Sequence, residues 1–133
     1  MYDLDLSERK LSYKKTVSKF PFNPDFIIYF FEHQFLTEKD LYHIGKATCA
    51  PIFFYMADFG PLTGGCHYSW DCKGYENQCG NCPGIYSNKA NDLTHQNFML
   101  KKKYIEKSRT NNFLTSLYEI LISTSFRYFY ILQ

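Results

Sequence analysis

Very little in this sequence leans one way in charge. Fifteen Lys and Arg stand against 13 Asp and Glu, a formal net charge of +2 over 133 residues. That balance is too mild to demand a polyanionic partner by itself. Long hydrophobic runs are missing too: no uninterrupted apolar stretch approaches the roughly 18 residues that would span a bilayer. The opening Met1-Tyr2-Asp3-Leu4-Asp5 is acidic and has neither the basic start nor the apolar centre of a secretory signal. These absences lead to the expectation of an intracellular, cytoplasmic protein with no membrane association. No internal repeat or low-complexity tract is visible, and no pair of carboxylates among Asp58, Asp71 and Glu76 suggests acid–base work.

What the chain does have is apolar and aromatic mass. Hydrophobic residues make up 45% and aromatics 20%, which is the composition of a packed protein and excludes wholesale disorder. At this length one domain is expected, spanning 1–133. Residues 1–19 read as an arm or a short helix. Phe20-Pro21-Phe22-Asn23-Pro24 then breaks regular structure, because proline fixes its own backbone and biases the preceding residue towards extended geometry. The run Phe26–Phe31 is apolar on every side, so periodicity does not choose between strand and helix. Its continuation through Glu32, His33 and Gln34 without a turn signal favours helix. Thr37 with Asp40 three residues later makes a helix start, followed by Leu41, Ile44 and Ala47 as one apolar face. A second apolar stretch covers Ile52–Met56. Gly60-Pro61-Leu62-Thr63-Gly64-Gly65 then opens a loop expected over residues 60–91.

From Asp92 the pattern turns helical, giving a C-terminal helical segment over 92–133. Leu93, Phe98, Leu100, Tyr104 and Ile105 form its apolar set, and Lys101, Lys102 and Lys103 take exposed positions. Thr110-Asn111-Asn112 caps a last helix with Phe113, Leu117, Ile120 and Leu121 on one face. That helix ends in the apolar Tyr128–Leu132, which must pack on the body or on a partner, a second copy of the chain included. The expected fold is mainly α, with α+β as the alternative, around a loop-rich, cysteine-ligated zinc knot.

The knot comes from cysteine spacing. The chain has five cysteines, and four of them, Cys66, Cys72, Cys79 and Cys82, fall inside the loop. In Cys79-Gly80-Asn81-Cys82 two thiolates separated by two residues can turn back on one ion, with the glycine permitting the turn. Cys66 and Cys72 complete a tetrahedral set, and His67 is the alternative to Cys66. Zinc is the expected metal; an iron–sulfur cluster and disulfides are the competing uses of clustered thiols. A thiolate-rich, closed set holds structure and leaves no position open for catalysis. The remaining Cys49 has no nearby base except His43 and reads as a small hydrophobe. The reading therefore favours a zinc-stabilised interaction or accessory protein that docks on a protein partner over an enzyme, without deciding against catalysis. Nucleic acid is the alternative partner, contacted by Lys73, Lys101, Lys102, Lys103, Lys107 and Arg109, with Trp70, Tyr75 and Tyr86 able to stack on bases.

The stretch Tyr68–Pro83, with Cys79-Gly80-Asn81-Cys82 at its centre, resembles the zinc-binding tail of the 7-cyano-7-deazaguanine synthases of queuosine biosynthesis. Phe35–Gly45 is similar to the lysine-containing helix that leads into that tail, so the resemblance covers about residues 35–90. The family's last cysteine falls on Ile85 here, its following arginine on Asn88 beside Lys89, and its Ser-Gly-Gly-x-Asp phosphate loop is absent. The resemblance implies a detached or degenerate module of such a nucleotide-modifying enzyme, without the ATP site and with Cys66 as fourth zinc ligand.

Overall fold

A computed structural model of the chain describes residues 11–30, 35–55, 58–110 and 129–132. Where the sequence leads to one domain, contacts group these residues into two compact units, one made by Asp58–Lys103 and the other by the described parts of 9–57 and 104–133.

The second of these is built on a parallel sheet. Strand β1 (Phe26–Tyr29) lies at the centre, between β2 (Ile52–Phe54) and β3 (Phe129–Leu132). Ile27 pairs with Ile52 on one side and with Tyr130 on the other. The helix expected over the Phe26 run is corrected to a strand. Within β1 Ile27 and Tyr29 are buried while Phe26 and Ile28 are half-buried, and a parallel strand covered on both faces reads as a continuous apolar run. The end of the expected C-terminal helix is corrected likewise: Phe129–Leu132 is a strand, because its backbone finds β1 about a hundred positions away, a pairing that local periodicity does not register. The expected helix over Thr110–Leu121 otherwise falls on 111–128, outside the described residues.

Helix α1 (Tyr13–Val17) is a single short turn capped by Ser12. Helix α2 (Glu38–Thr48) begins as the sequence predicts. The Asp40 amide donates to Thr37 Oγ1, and Asp40 Oδ2 accepts from the Thr37 amide at 3.1 Å and from its hydroxyl at 2.9 Å. These bonds satisfy the open amides of the first turn. The helix stops at Cys49, whose backbone is left-handed at φ 55°. Leu41 and Ile44 pack with Ile27, Tyr29, Leu36, Ala50 and Ile52 to form the core. With helices and a sheet together, the chain is mixed α+β. Among the described residues no helix is long and apolar enough to cross a membrane.

The unit of residues 58–103 is built differently. Three short 3-10 turns, Gly60–Leu62, Gly74–Asn77 and Pro83–Ile85, punctuate a loop that leads into helix α3 (Leu93–Thr110). Cys82 is the one buried hydrophobic side chain among its described residues, whereas Thr63, His67, Asp92, Thr94, Asn97 and Lys101 are all buried. Helix α3 correspondingly turns a polar face inward. Asn97 donates to the Gly64 carbonyl at 3.2 Å and the Lys101 ammonium to the Gly60 carbonyl at 2.7 Å. The expectation of an exposed Lys101 is thus corrected, since a half-buried loop carbonyl needs a donor and the lysine supplies it. Leu93 and Leu100, expected on the packed face, are exposed together with Met99.

Candidate metal centre

The loop between Thr63 and Asp92 is fixed by its backbone, and the cysteines follow from that. Four successive residues, Gln78, Cys79, Gly80 and Asn81, have positive φ of 67°, 58°, 91° and 47°. A left-handed backbone costs a non-glycine residue roughly 1–2 kcal/mol, so such a run persists only where something holds it. Here the amides do. Cys79 donates to the Gly74 carbonyl at 2.7 Å, Gly80 to Thr94 Oγ1 at 3.2 Å and Asn81 to the Lys89 carbonyl at 2.9 Å. Gly80 also presses so closely on residue 90 that a Cβ there would sit 2.1 Å from the Ala90 carbonyl oxygen. Gly64 does the same against α3, with a would-be Cβ 2.0 Å from the Thr94 carbonyl oxygen.

This framework brings the four loop cysteines onto one cavity. Cys66, Cys72, Cys79 and Cys82 line it together with Thr63, Gly64 and Thr94, and its volume is about 20 Å³. A single water needs roughly 10–15 Å³, so the space is of a size that suits one small ion. Two amides are aimed at the sulfurs: Gly64 N–H lies 3.3 Å from Cys79 Sγ and Gly74 N–H 3.4 Å from Cys72 Sγ. Such N–H donors favour sulfur carrying negative charge and orient it, as outer-sphere contacts do at metal sites.

The electrostatics place the thiols within each other's fields. Burial, reinforced by the neighbouring Cys82, Cys79 and Cys72, pushes the Cys66 thiol up to about 11. Burial raises Cys79 as well, and the Gly64 amide opposes it. All five cysteines are free thiols. Among the described residues no group of three or more His, Cys, Asp or Glu side chains is already arranged to hold a metal ion. The donor set and the size of the cavity fit one.

Asp92 anchors this assembly. Its Oδ2 accepts the Cys82 amide at 3.0 Å, and its Oδ1 accepts from the Thr94 amide at 2.9 Å, the Thr94 hydroxyl at 2.6 Å and the His95 amide at 3.1 Å. Burial disfavours the charge, but these bonds overcome it and hold the carboxyl well below the usual carboxylate range. Sequence reasoning overlooks Asp92 as part of the knot. The signal available was Asp92-Leu93-Thr94, an N-cap residue at a helix start.

His67 takes another role. It is buried, with Nδ1 2.7 Å from Asp58 Oδ2, and Asp58 Oδ1 accepts the Gly60 amide at 2.7 Å. It does not line the cavity; Cys66 does. Ile85, where the deazaguanine synthase pattern has its further cysteine, lies in the Pro83–Ile85 turn and is not on the cavity wall either. Cys49 belongs to the other unit, exposed at the end of α2.

Of the basic candidates, Lys73, Lys102 and Lys103 are exposed within this unit, and Lys101 is buried. Lys107 and Arg109 are exposed on the part of α3 that belongs to the other unit, where the Lys107 ammonium lies 5.5 Å from the centre of the Tyr104 ring. Trp70 and Tyr86 are exposed, and Tyr75 is half-buried with its ring 5.9 Å from that of Phe59. No family model, no curated protein and no solved structure matches the chain.

Proposed function

We propose that residues 58–103 form a structural zinc module ligated by Cys66, Cys72, Cys79 and Cys82, and that the protein acts as a small accessory protein that docks on a macromolecular partner through the surface this module displays. One observation carries the reading. Four thiols line a single ion-sized cavity in a unit whose described residues bury no hydrophobic side chain except Cys82. A loop of this length without an apolar core has little of its own to offset the entropy of ordering, and small units of that kind depend on a metal or on disulfides. Zinc bound to thiolates supplies the missing free energy, because its binding is coupled to folding.

The role of each residue follows. Cys79 and Cys82 are the turn pair, with the Gly64 amide on Cys79 and the Asp92-held amide at Cys82. Cys72 receives the Gly74 amide. Cys66 follows the glycine turn, and the Thr63 hydroxyl donates to its carbonyl at 2.6 Å. Four thiolates leave no open position for substrate or water, which favours a structural role over catalysis. Docking is supported by the side chains that the loop leaves outside, Trp70 and Tyr86 above all. The experiment is metal analysis of the reduced protein. Stoichiometric zinc, lost in variants of the four cysteines and retained in Cys49→Ser, supports the module; a metal-free protein with the same stability overturns it.

A further inference from the structure

We propose that the cysteine site is a redox switch: hydrogen peroxide oxidises Cys66, Cys82 closes on it as a disulfide, and the ion held by the four sulfurs is let go. This rests on the reading of the same site as a closed zinc centre, and names how it is opened.

The first observation is that the four sulfurs are not protected alike. Cys79 Sγ has the Gly64 amide at 3.3 Å and Cys72 Sγ the Gly74 amide at 3.4 Å, whereas among the described residues no amide is aimed at the sulfur of Cys66 or Cys82. An N–H pointed at a thiolate stabilises its charge and draws electron density from it, which lowers its nucleophilicity. Cys82 is buried, while Cys66 is half-buried. Of the two sulfurs without an amide, Cys66 is therefore the one a small oxidant reaches. Oxidation follows thiolate character and access together, and both single out Cys66.

The second observation supplies its partner. A cysteine that is oxidised reversibly needs a second thiol near enough to displace the oxygen. Cys66 and Cys82 line the same small cavity. After burial, the charge of Cys82 is the strongest influence on the Cys66 thiol, ahead of Cys79 and Cys72, so Cys82 is the sulfur best placed to respond. The Cys66 thiolate attacks one peroxide oxygen, the O–O bond breaks and hydroxide leaves, giving a sulfenic acid at Cys66. The Cys82 thiolate then attacks the Cys66 sulfur; the S–S bond forms, the S–O bond breaks and a second hydroxide leaves. Two protons from solvent turn both hydroxides into water. The two sulfurs have lost two electrons and the peroxide has gained them.

The third observation is what the fold does with this step. Only Cys72 and Cys79 are left as donors, and two thiolates do not complete the tetrahedron that a structural zinc ion takes. Among the described residues of this unit Cys82 is the one buried hydrophobic side chain, so the whole loop feels the loss of the ion. Cys82 also stands directly after the left-handed residues Gln78, Cys79, Gly80 and Asn81 and gives its amide to Asp92, which caps α3. A change at Cys82 is therefore passed to the start of that helix and to the surface the module displays. The new disulfide keeps the two ends of the loop tied, so reduction rebuilds the site.

The test uses the full-length, reduced protein carrying Cys49→Ser, which removes the exposed thiol outside the unit and leaves all four site cysteines in place. Zinc is quantified first. Hydrogen peroxide is then added at a concentration that oxidises free cysteine, and released zinc is followed with a colour-forming chelator too weak to strip the unoxidised protein. One zinc should appear for every two thiols lost, and mass spectra of the digested protein should join Cys66 to Cys82. Dithiothreitol should restore both thiols and zinc binding. Dimedone added with the peroxide should mark Cys66 ahead of the other three cysteines. Zinc-loaded protein that keeps its metal and its thiols under peroxide overturns this inference and leaves the zinc centre standing, as does a disulfide between any other pair. Protein that carries no zinc before the peroxide is added overturns both.

Discussion

The Asp92 carboxylate accepts the backbone amide of Cys82 through Oδ2 at 3.0 Å while its Oδ1 caps helix α3. One charge therefore orients a proposed metal ligand and starts the helix, so the knot and the first turn of α3 form and fail together. Around this link Thr94, Asn97 and Lys101 add further bonds from the helix to the loop backbone.

Replacement of Asp92 by Ala removes a cap and leaves the Cys82 amide buried without its acceptor. The expected loss is about 2–4 kcal/mol, from roughly 1 for the cap and 1–3 for the buried donor, read as a shift in the denaturation midpoint. The pH dependence has a definite sign. The folded carboxyl titrates below its ordinary 3.8, so its contribution is fully present above about pH 4 and fades as pH falls further. Comparison of wild type with Asp92→Asn between pH 7 and pH 2 should show the two stability curves converging on the acid side.

The glycine contacts separate two kinds of position. A Cβ at Gly64 or Gly80 would lie within 2.1 Å of a backbone oxygen, and Gly80 also has φ +91°. Gly64→Ala and Gly80→Ala should each cost more than about 3 kcal/mol and reduce metal retention. Gly74→Ala meets only Cys72 Sγ, at 3.4 Å, and should fold with a small penalty. Thermal melts of the three variants provide the comparison.

The cysteine spacing made the convergence of Cys66, Cys72, Cys79 and Cys82 on one place legible, because a two-residue gap with a glycine turns back on itself wherever it occurs. The capping pair Thr37 and Asp40 was legible for a similar reason: its hydrogen bonds close within one turn. The strand at Phe26–Tyr29 was not, since an apolar run satisfies a buried helix and a two-sided strand equally, and its partners Ile52 and Tyr130 lie far off in sequence. Lys101 was misread by composition. Three consecutive lysines suggest a solvated face, yet one of them is needed inside by the Gly60 carbonyl.

The protonation of Cys66 gives a test of the metal-free state. Its folded value, about 11, stands above the ordinary 9.0, so the thiol contributes stability that is intact below pH 9 and lost as pH rises towards 11. Chelator-treated protein should weaken over that interval, and Cys66→Ser should weaken less. With zinc bound the sulfur is already a thiolate, and the same interval should leave stability nearly flat.

Exposed lysines and the buried one should behave differently. Lys102→Met and Lys103→Met, at exposed positions, should leave stability within about 0.5 kcal/mol. Lys101→Met removes the donor to the Gly60 carbonyl and should destabilise the fold by about 1–3 kcal/mol, as measured by urea denaturation.

The central claim is a closed zinc site of four thiolates, and melting the purified, reduced protein with and without a chelator tests it most directly once zinc has been quantified. The account predicts one equivalent of zinc per chain and a melting point that drops by more than about 10 °C when the metal is withdrawn. Protein that carries no metal and melts at the same temperature in the presence of the chelator contradicts it.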